Sequence, residues 1–178
     1  MTERCALLLR AVNVGGRNRV PMAELRAVLA DRLGLQNVTT YIASGNVFCD
    51  LPADPAAVRA LIAEEFGVDT PVVQRSHEEL VAALAENPFP DAVADKMLHA
   101  MFLEGPADPG AVEALMPRLQ PWERVQLVGR ELWIDYGDGG VQSTKLTGPV
   151  LDRALGVAGT SRNLRTVRIL VELTEPVV

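Results

Sequence analysis

Two adjacent glycines, Gly15 and Gly16, stand among Arg10, Asn13, Arg17, Asn18 and Arg19 just after the first apolar run of the chain. Neighbouring glycines let successive backbone N–H groups converge on one point, and guanidinium groups beside them add positive charge. Such a loop suits an anion. A charge-assisted hydrogen bond there contributes about 1.5–3 kcal/mol. The spacing is neither that of a P-loop, with Gly-Lys-Ser/Thr, nor that of a dinucleotide fingerprint with its third glycine. The same residues also make an ordinary tight loop, with asparagines bonded to their own backbone and arginines left in water.

Two further groups have the same character. Tyr41, Ser44, Gly45 and Asn46 lie in a hairpin-like stretch that joins the second and third strands, a connection that lets it lie away from the first loop. Its simpler reading is turn chemistry, with Gly45 or Asn46 at positive φ. Near the end of the chain, Thr160, Ser161, Arg162 and Asn163 follow Gly156 and Gly159. The segment after them reads as either helix or strand. If it is helix, Thr160 or Ser161 caps it and Arg162 falls near its positive end, where a cation is unfavourable unless an anion compensates. Lys145 is placed in the same way, at the start of the preceding helix.

Groups for catalysis are few. His77, beside Glu78 and Glu79, reads as a surface residue, and His99 lies in an apolar strand. Neither cysteine has a histidine partner in sequence, and Ser44 lacks a Gly-x-Ser-x-Gly elbow. Two cysteines and two histidines supply no zinc spacing, and the carboxylates form no metal pattern. The sequence therefore names no catalytic residue, metal or cofactor.

The elements that must position these residues follow from periodicity. Residues 4–10 read as a buried strand, and a helix starts at Pro21 with Met22, Leu25, Leu29 and Leu33 on one face. Strands at 38–42 and 47–51, a helix opened by Asp54-Pro55 and a strand at 71–74 complete a βαββαβ order. A helix at 78–85 leads to Asn87-Pro88-Phe89-Pro90, a boundary between halves. Beyond it come a strand at 96–103, a helix at 109–115, strands at 124–128 and 131–136 turning at Gly129-Arg130, and a helix at 144–155. The expected fold is α+β, with two ferredoxin-like (βαββαβ-type) halves at 1–86 and 91–178 that arose by internal duplication.

A chain of 178 residues accommodates one domain or two small ones. A net charge of -6 opposes a broad nucleic-acid footprint but leaves room for a compact basic pocket. With aromatics at only 4%, the core must rest on Leu, Val, Ala and Ile. No leader or membrane-spanning run is visible, so the expected location is the cytoplasm. Cys5 and Cys49 then fit free buried thiols, although neighbouring strands would let them face one another. Oligomeric state is not encoded in any of these features.

The stretches LLRAVNVGGRNRVPMAELRAVL, VTTYIASGNVFCD, NPFP and TSRNLRTV together resemble the domain of unknown function 1697 family over nearly the whole chain. Arg10, Asn13, Gly15, Gly16 and Asn18 fall on its first motif, and Tyr41, Ser44, Gly45 and Asn46 on its second. Thr160, Arg162, Asn163 and Thr166 fall on its last, with Lys145-Leu146 matching an element upstream. Ala43, Thr144 and Leu164 depart from the family's usual Gln, Ser and Trp. The resemblance implies a duplicated α+β fold and carries no agreed activity. The function expected from the residues is binding of a small anionic or nucleotide-like ligand. An enzyme using Lys145, Tyr41 or a bound water for proton transfer, and a protein-interaction domain, stand as alternatives.

Overall fold

Six consecutive buried residues form β1 (Arg4–Leu9), an unbroken run whose two faces are both withdrawn from water. The computed structural model describes residues 1–178. Strands β2 (Thr39–Tyr41), β3 (Asn46–Asp50) and β4 (Val72–Ser76) join β1 in the order β2-β3-β1-β4, every pair antiparallel. Helix α1 (Met22–Leu33) starts after Pro21 and stops at Gly34, where φ is 66°. Helix α2 (Pro55–Phe66) is capped by the Asp54 side chain, which accepts from the Ala56 N–H at 3.0 Å. Together they bury Leu25, Leu29, Val58, Leu61 and Ile62 against Cys5, Leu7, Leu9 and Val47. Apolar burial of that kind contributes about 1.5–3 kcal/mol for each large side chain.

Cys5 and Cys49 stand directly opposite each other on β1 and β3, as free buried thiols with sulfurs 3.8 Å apart. The contact with Cys49 and burial both push the Cys5 thiol up, so it stays protonated.

The second sheet repeats the plan. Strands β5 (Leu98–Leu103), β6 (Arg124–Val128), β7 (Glu131–Asp135) and β8 (Gly159–Asn163) lie in the order β6-β7-β5-β8, again all antiparallel. Helices α4 (Ala111–Leu115) and α5 (Gly148–Leu155) place Leu115, Leu151 and Leu155 against Met101, Leu103, Leu132 and Ile134. Helix α3 (His77–Ala85) follows β4 directly, as α6 (Leu164–Leu173) follows β8. Contacts divide the chain into one unit of Met1–Val81 with Leu170–Val178, and a second of Ala82–Ile169. The protein is α+β, with two similar halves.

The likeness reaches single registers. On β1, Ala6 lies opposite Phe48 on one side and Arg75 on the other; on β5, Ala100 lies opposite Trp133 and Arg162. The residue after each arginine caps the next helix. Ser76 accepts from the Glu79 N–H at 3.2 Å, and Asn163 accepts from the Thr166 N–H at 2.9 Å.

Three local expectations change. The tail is strand and then helix, because Asn163 ends β8 and caps α6. Thr160 and Ser161 therefore do not cap a helix; Arg162 ends β8 on the residue just before the cap Asn163, next to the start of α6. The helix expected from residue 144 begins at Gly148, where Thr147 caps the Val150 N–H at 3.4 Å and Pro149 occupies the first turn. Lys145 thus sits outside it.

His99 on β5 meets Tyr136 edge to face at 5.0 Å, and its Nε2 lies 3.2 Å from the Lys96 carbonyl. Burial holds its pKa below the usual imidazole value, with the Lys96 contact acting the other way. A depressed base makes the unfolded chain the better proton binder, so this contribution to stability is complete above the unfolded value of about 6.5. It is lost as pH falls through 6.5 toward the lower folded value. His99→Phe should flatten the stability profile across that window in urea titrations at stepped pH. An unchanged profile would refute the assignment.

Candidate functional site

Asn13 organises the glycine loop. Its side-chain oxygen accepts from the Val20 N–H at 2.8 Å, and its amide donates to the Val20 carbonyl at 2.9 Å and the Ala43 carbonyl at 2.6 Å. The Asn18 amide donates to the Ala11 carbonyl at 3.0 Å, and the Asn13 N–H donates to the Asn18 carbonyl at the same distance. One side chain thereby closes residues 13–20 into a ring and ties that ring to the second motif. The Leu9 N–H also donates to the Gly45 carbonyl at 2.9 Å. The β2–β3 turn therefore lies against the first loop, contrary to the placement expected from chain order. Central pairing of β1 with β3 brings it there.

Backbone strain collects in the same two loops. Ala11, Asn13, Asn18 and Ile42 all have φ between 51° and 54°. Asparagine tolerates this region, but a β-branched residue such as Ile42 does not, and each such residue costs on the order of 1–3 kcal/mol. Gly15 and Gly16, at φ of 58° and 75°, have open space where a Cβ would stand. Their role is conformational.

The motif residues separate into holders and presenters. Asn13, Gly45 and Asn46 hold: Asn46 is fully buried and donates to the Tyr41 carbonyl at 3.2 Å and the Ser44 hydroxyl at 3.4 Å. Arg10 is half-buried, and its carbonyl accepts from the Thr70 hydroxyl at 2.5 Å. Gly15, Gly16, Arg17, Asn18, Arg19 and Ser44 are exposed, and Tyr41 is half-buried. Ion pairs in this unit include Arg4 with Asp50, Arg32 with Glu64 and Glu65, and Arg59 with Asp69. Arg17 and Arg19 belong to none of them. Pro21 provides no side-chain cap for α1, so its first amides take no side-chain acceptor.

The third motif belongs to the second unit. Thr160 is buried on β8, and the Arg162 guanidinium donates to the Thr160 hydroxyl at 2.8 Å and the Ser161 carbonyl at 2.9 Å. Burial pushes the Arg162 pKa down to about 10, so it remains a cation at neutral pH. Asn163 serves as the α6 cap. Lys145 is exposed.

His77 is the residue that sequence reasoning undervalued. It is half-buried, and its Nδ1 lies 3.0 Å from the Thr174 hydroxyl, 97 positions away. No local pattern announces a partner so distant. No group of three or more His, Cys, Asp or Glu is placed to hold a metal ion.

A conserved bacterial protein of Streptococcus pneumoniae has a similar structure, with a TM-score of 0.75 and 26% identity over 98% of this chain and 100% of that one. Among curated proteins, none matches. No helix is long and apolar enough to cross a membrane. Residues 1–133 match the family described as protein of unknown function (DUF1697), and the chain belongs to that family.

Proposed function

We propose that residues 15–19, with Ser44 and the uncapped start of α1, bind a small anion such as the phosphate of a nucleotide-like ligand. One observation carries this reading. Arg17 and Arg19 stand exposed and without ion pairs on a loop that Asn13 locks, in a chain of net charge -6. A solvated ornamental loop would not need three residues at positive φ and a three-bonded asparagine to hold its shape. The amides of Gly15 and Gly16 take no part in the loop's own bonds and serve as donors, and the positive end of α1 adds to them.

The test is calorimetric titration with inorganic phosphate and then with a nucleoside monophosphate. Arg17→Ala with Arg19→Ala should weaken binding by about 10-fold or more, the loss of one or two charge-assisted bonds, at unchanged melting temperature. No heat from the unmutated protein at millimolar ligand would end the proposal.

The wider reading is of two ferredoxin-like domains, 1–86 and 91–178, duplicated from one βαββαβ ancestor and working in the cytoplasm. Its support is the shared strand order, the Ala-aromatic-Arg registers and the paired helix caps.

A further inference from the structure

The β1–β3 ladder fixes what kind of pair Cys5 and Cys49 make. The Leu51 N–H donates to the Glu3 carbonyl at 2.8 Å, and the Leu9 N–H donates to the Gly45 carbonyl at 2.9 Å. Cys5 and Cys49 stand opposite each other in that same register, two residues from the first bond and four from the second. Hydrogen-bonded pairs alternate with open ones along an antiparallel ladder, so the two cysteines are a hydrogen-bonded pair. Their side chains share the face that packs under α1 and α2, with sulfurs 3.8 Å apart.

The Cα atoms of such a pair stand about 5.5 Å apart, inside the range that a disulfide spans. Their Cβ atoms, about 5 Å apart or more, exceed the mean of about 3.8 Å for a bridge. A bond between the sulfurs therefore forms without rearranging the sheet, yet under a tension that makes it easy to reduce. The protons are disposed for it as well. The hydrogen bond from Cys5 holds the Cys49 thiol below its ordinary value; the Arg4 guanidinium acts the same way, against burial and Asp50. Cys49 is thus the sulfur that yields a thiolate, and Cys5 stands beside it with its proton.

Access is from the end of the ladder. Glu3 and Leu51, the next residues outward on the same face, line a hollow of about 640 Å³ with Ala53 and Gln74. The sulfurs lie one layer of side chains beneath it and have no exposed surface of their own. Strand ends open at low free energy, so a molecule of a few atoms reaches the pair and a bulky reagent does not.

We propose that Cys5 and Cys49 are a redox-active pair that reacts with a small hydroperoxide and closes into a reversible disulfide. The Cys49 thiolate attacks one peroxide oxygen, the O–O bond breaks, and the departing hydroxide is protonated to water. The Cys5 sulfur then attacks the Cys49 sulfenic acid, the S–O bond breaks, and the hydroxyl leaves with the Cys5 proton as a second water. Two thiols lose two electrons and the peroxide gains them. The bridge encloses residues 5–49, a segment that contains both the glycine loop and the turn tied to it.

The probe is hydrogen peroxide, one equivalent, added to the reduced full chain at neutral pH. Intact mass should fall by two hydrogen atoms, and digestion without reductant should join the peptides of Cys5 and Cys49. Millimolar reduced glutathione should restore both thiols. Dimedone should trap no sulfenic acid from the native chain, because Cys5 resolves it, but should label Cys49 in Cys5→Ala. A bulky aromatic disulfide reagent should react at least about tenfold more slowly with the native chain than with the denatured one. The assignment is overturned if native thiols survive peroxide that fully oxidises the denatured chain, or if oxygen is gained without a bridge. A bridge that reduced glutathione leaves intact, or dimedone capture from the native unmutated chain, would overturn it equally. These readouts need no variant, so a Cys5→Ala chain that fails to fold leaves the test in force. None of them depends on whether phosphate binds the glycine loop.

Discussion

Gly45→Ala should destabilise the first unit by about 2–4 kcal/mol, although a single methyl group is added. The new Cβ would lie 2.8 Å from the Leu9 Cβ and 2.8 Å from a Val12 methyl, both in the buried core, at a φ of 92°. Neither neighbour is the free end of a long side chain, so relief requires β1 to part from the turn. That movement breaks the Leu9 to Gly45 hydrogen bond and pulls Ala43 from Asn13. Gly15→Ala provides the contrast. At φ 58° with nothing within 4 Å, it meets only the conformational penalty, about 1 kcal/mol. Urea denaturation of both variants tests the difference, and equal losses would show that Gly45 is not a packing contact. Gly45→Ala should also abolish phosphate binding, whereas Gly15→Ala should weaken it less.

Trp133 is expected to give the largest effect in the second unit. It is fully buried on β7, opposite Ala100, and its indole N–H has no hydrogen-bond partner. Trp133→Ala removes the largest buried side chain and leaves a cavity, at about 3–5 kcal/mol. Trp133→Phe should be far milder, about 1 kcal/mol or less. The lost ring area is offset by removal of a buried donor whose unsatisfied state costs about 1–3 kcal/mol. A loss in Trp133→Phe approaching that of the alanine variant would mean that the indole N–H is bonded after all. Emission offers a parallel check, because Trp122 is exposed and Trp133 is not. Trp133→Phe should therefore shift the spectrum toward that of an indole in water.

Most of the element order was readable in advance. Continuous apolar runs marked β1 and β5, and helical spacing ending at Gly34 and Gly67 marked α1 and α2. These signals are local, since each depends on residues a few positions apart. The helix starting at Gly148 was misread by a few residues, because Thr147 and Pro149 decide its first turn and Thr144 does not. The cap of α6 was misread for a related reason. Asn163 competes with Thr160 and Ser161 as a capping type, and only the pairing of β8 with β5 commits the latter two to strand.

The sites were less legible. Residue types alone marked the glycine loop as a place for an anion. They could not show that Asn13 reaches Ala43, 30 positions on, or that Asn46 spends its amide closing its own turn. His77 looked like a surface residue because its partner, Thr174, lies almost a hundred positions away.

Short-range patterning was thus enough to specify which segments become strands and helices, and to mark where glycine and arginine gather. The assignment of each polar side chain, as support for the chain or as a group offered to a ligand, came only with folding. Hydrogen-bonding capacity is finite, and which part of it is consumed internally depends on contacts between residues that sequence distance does not relate.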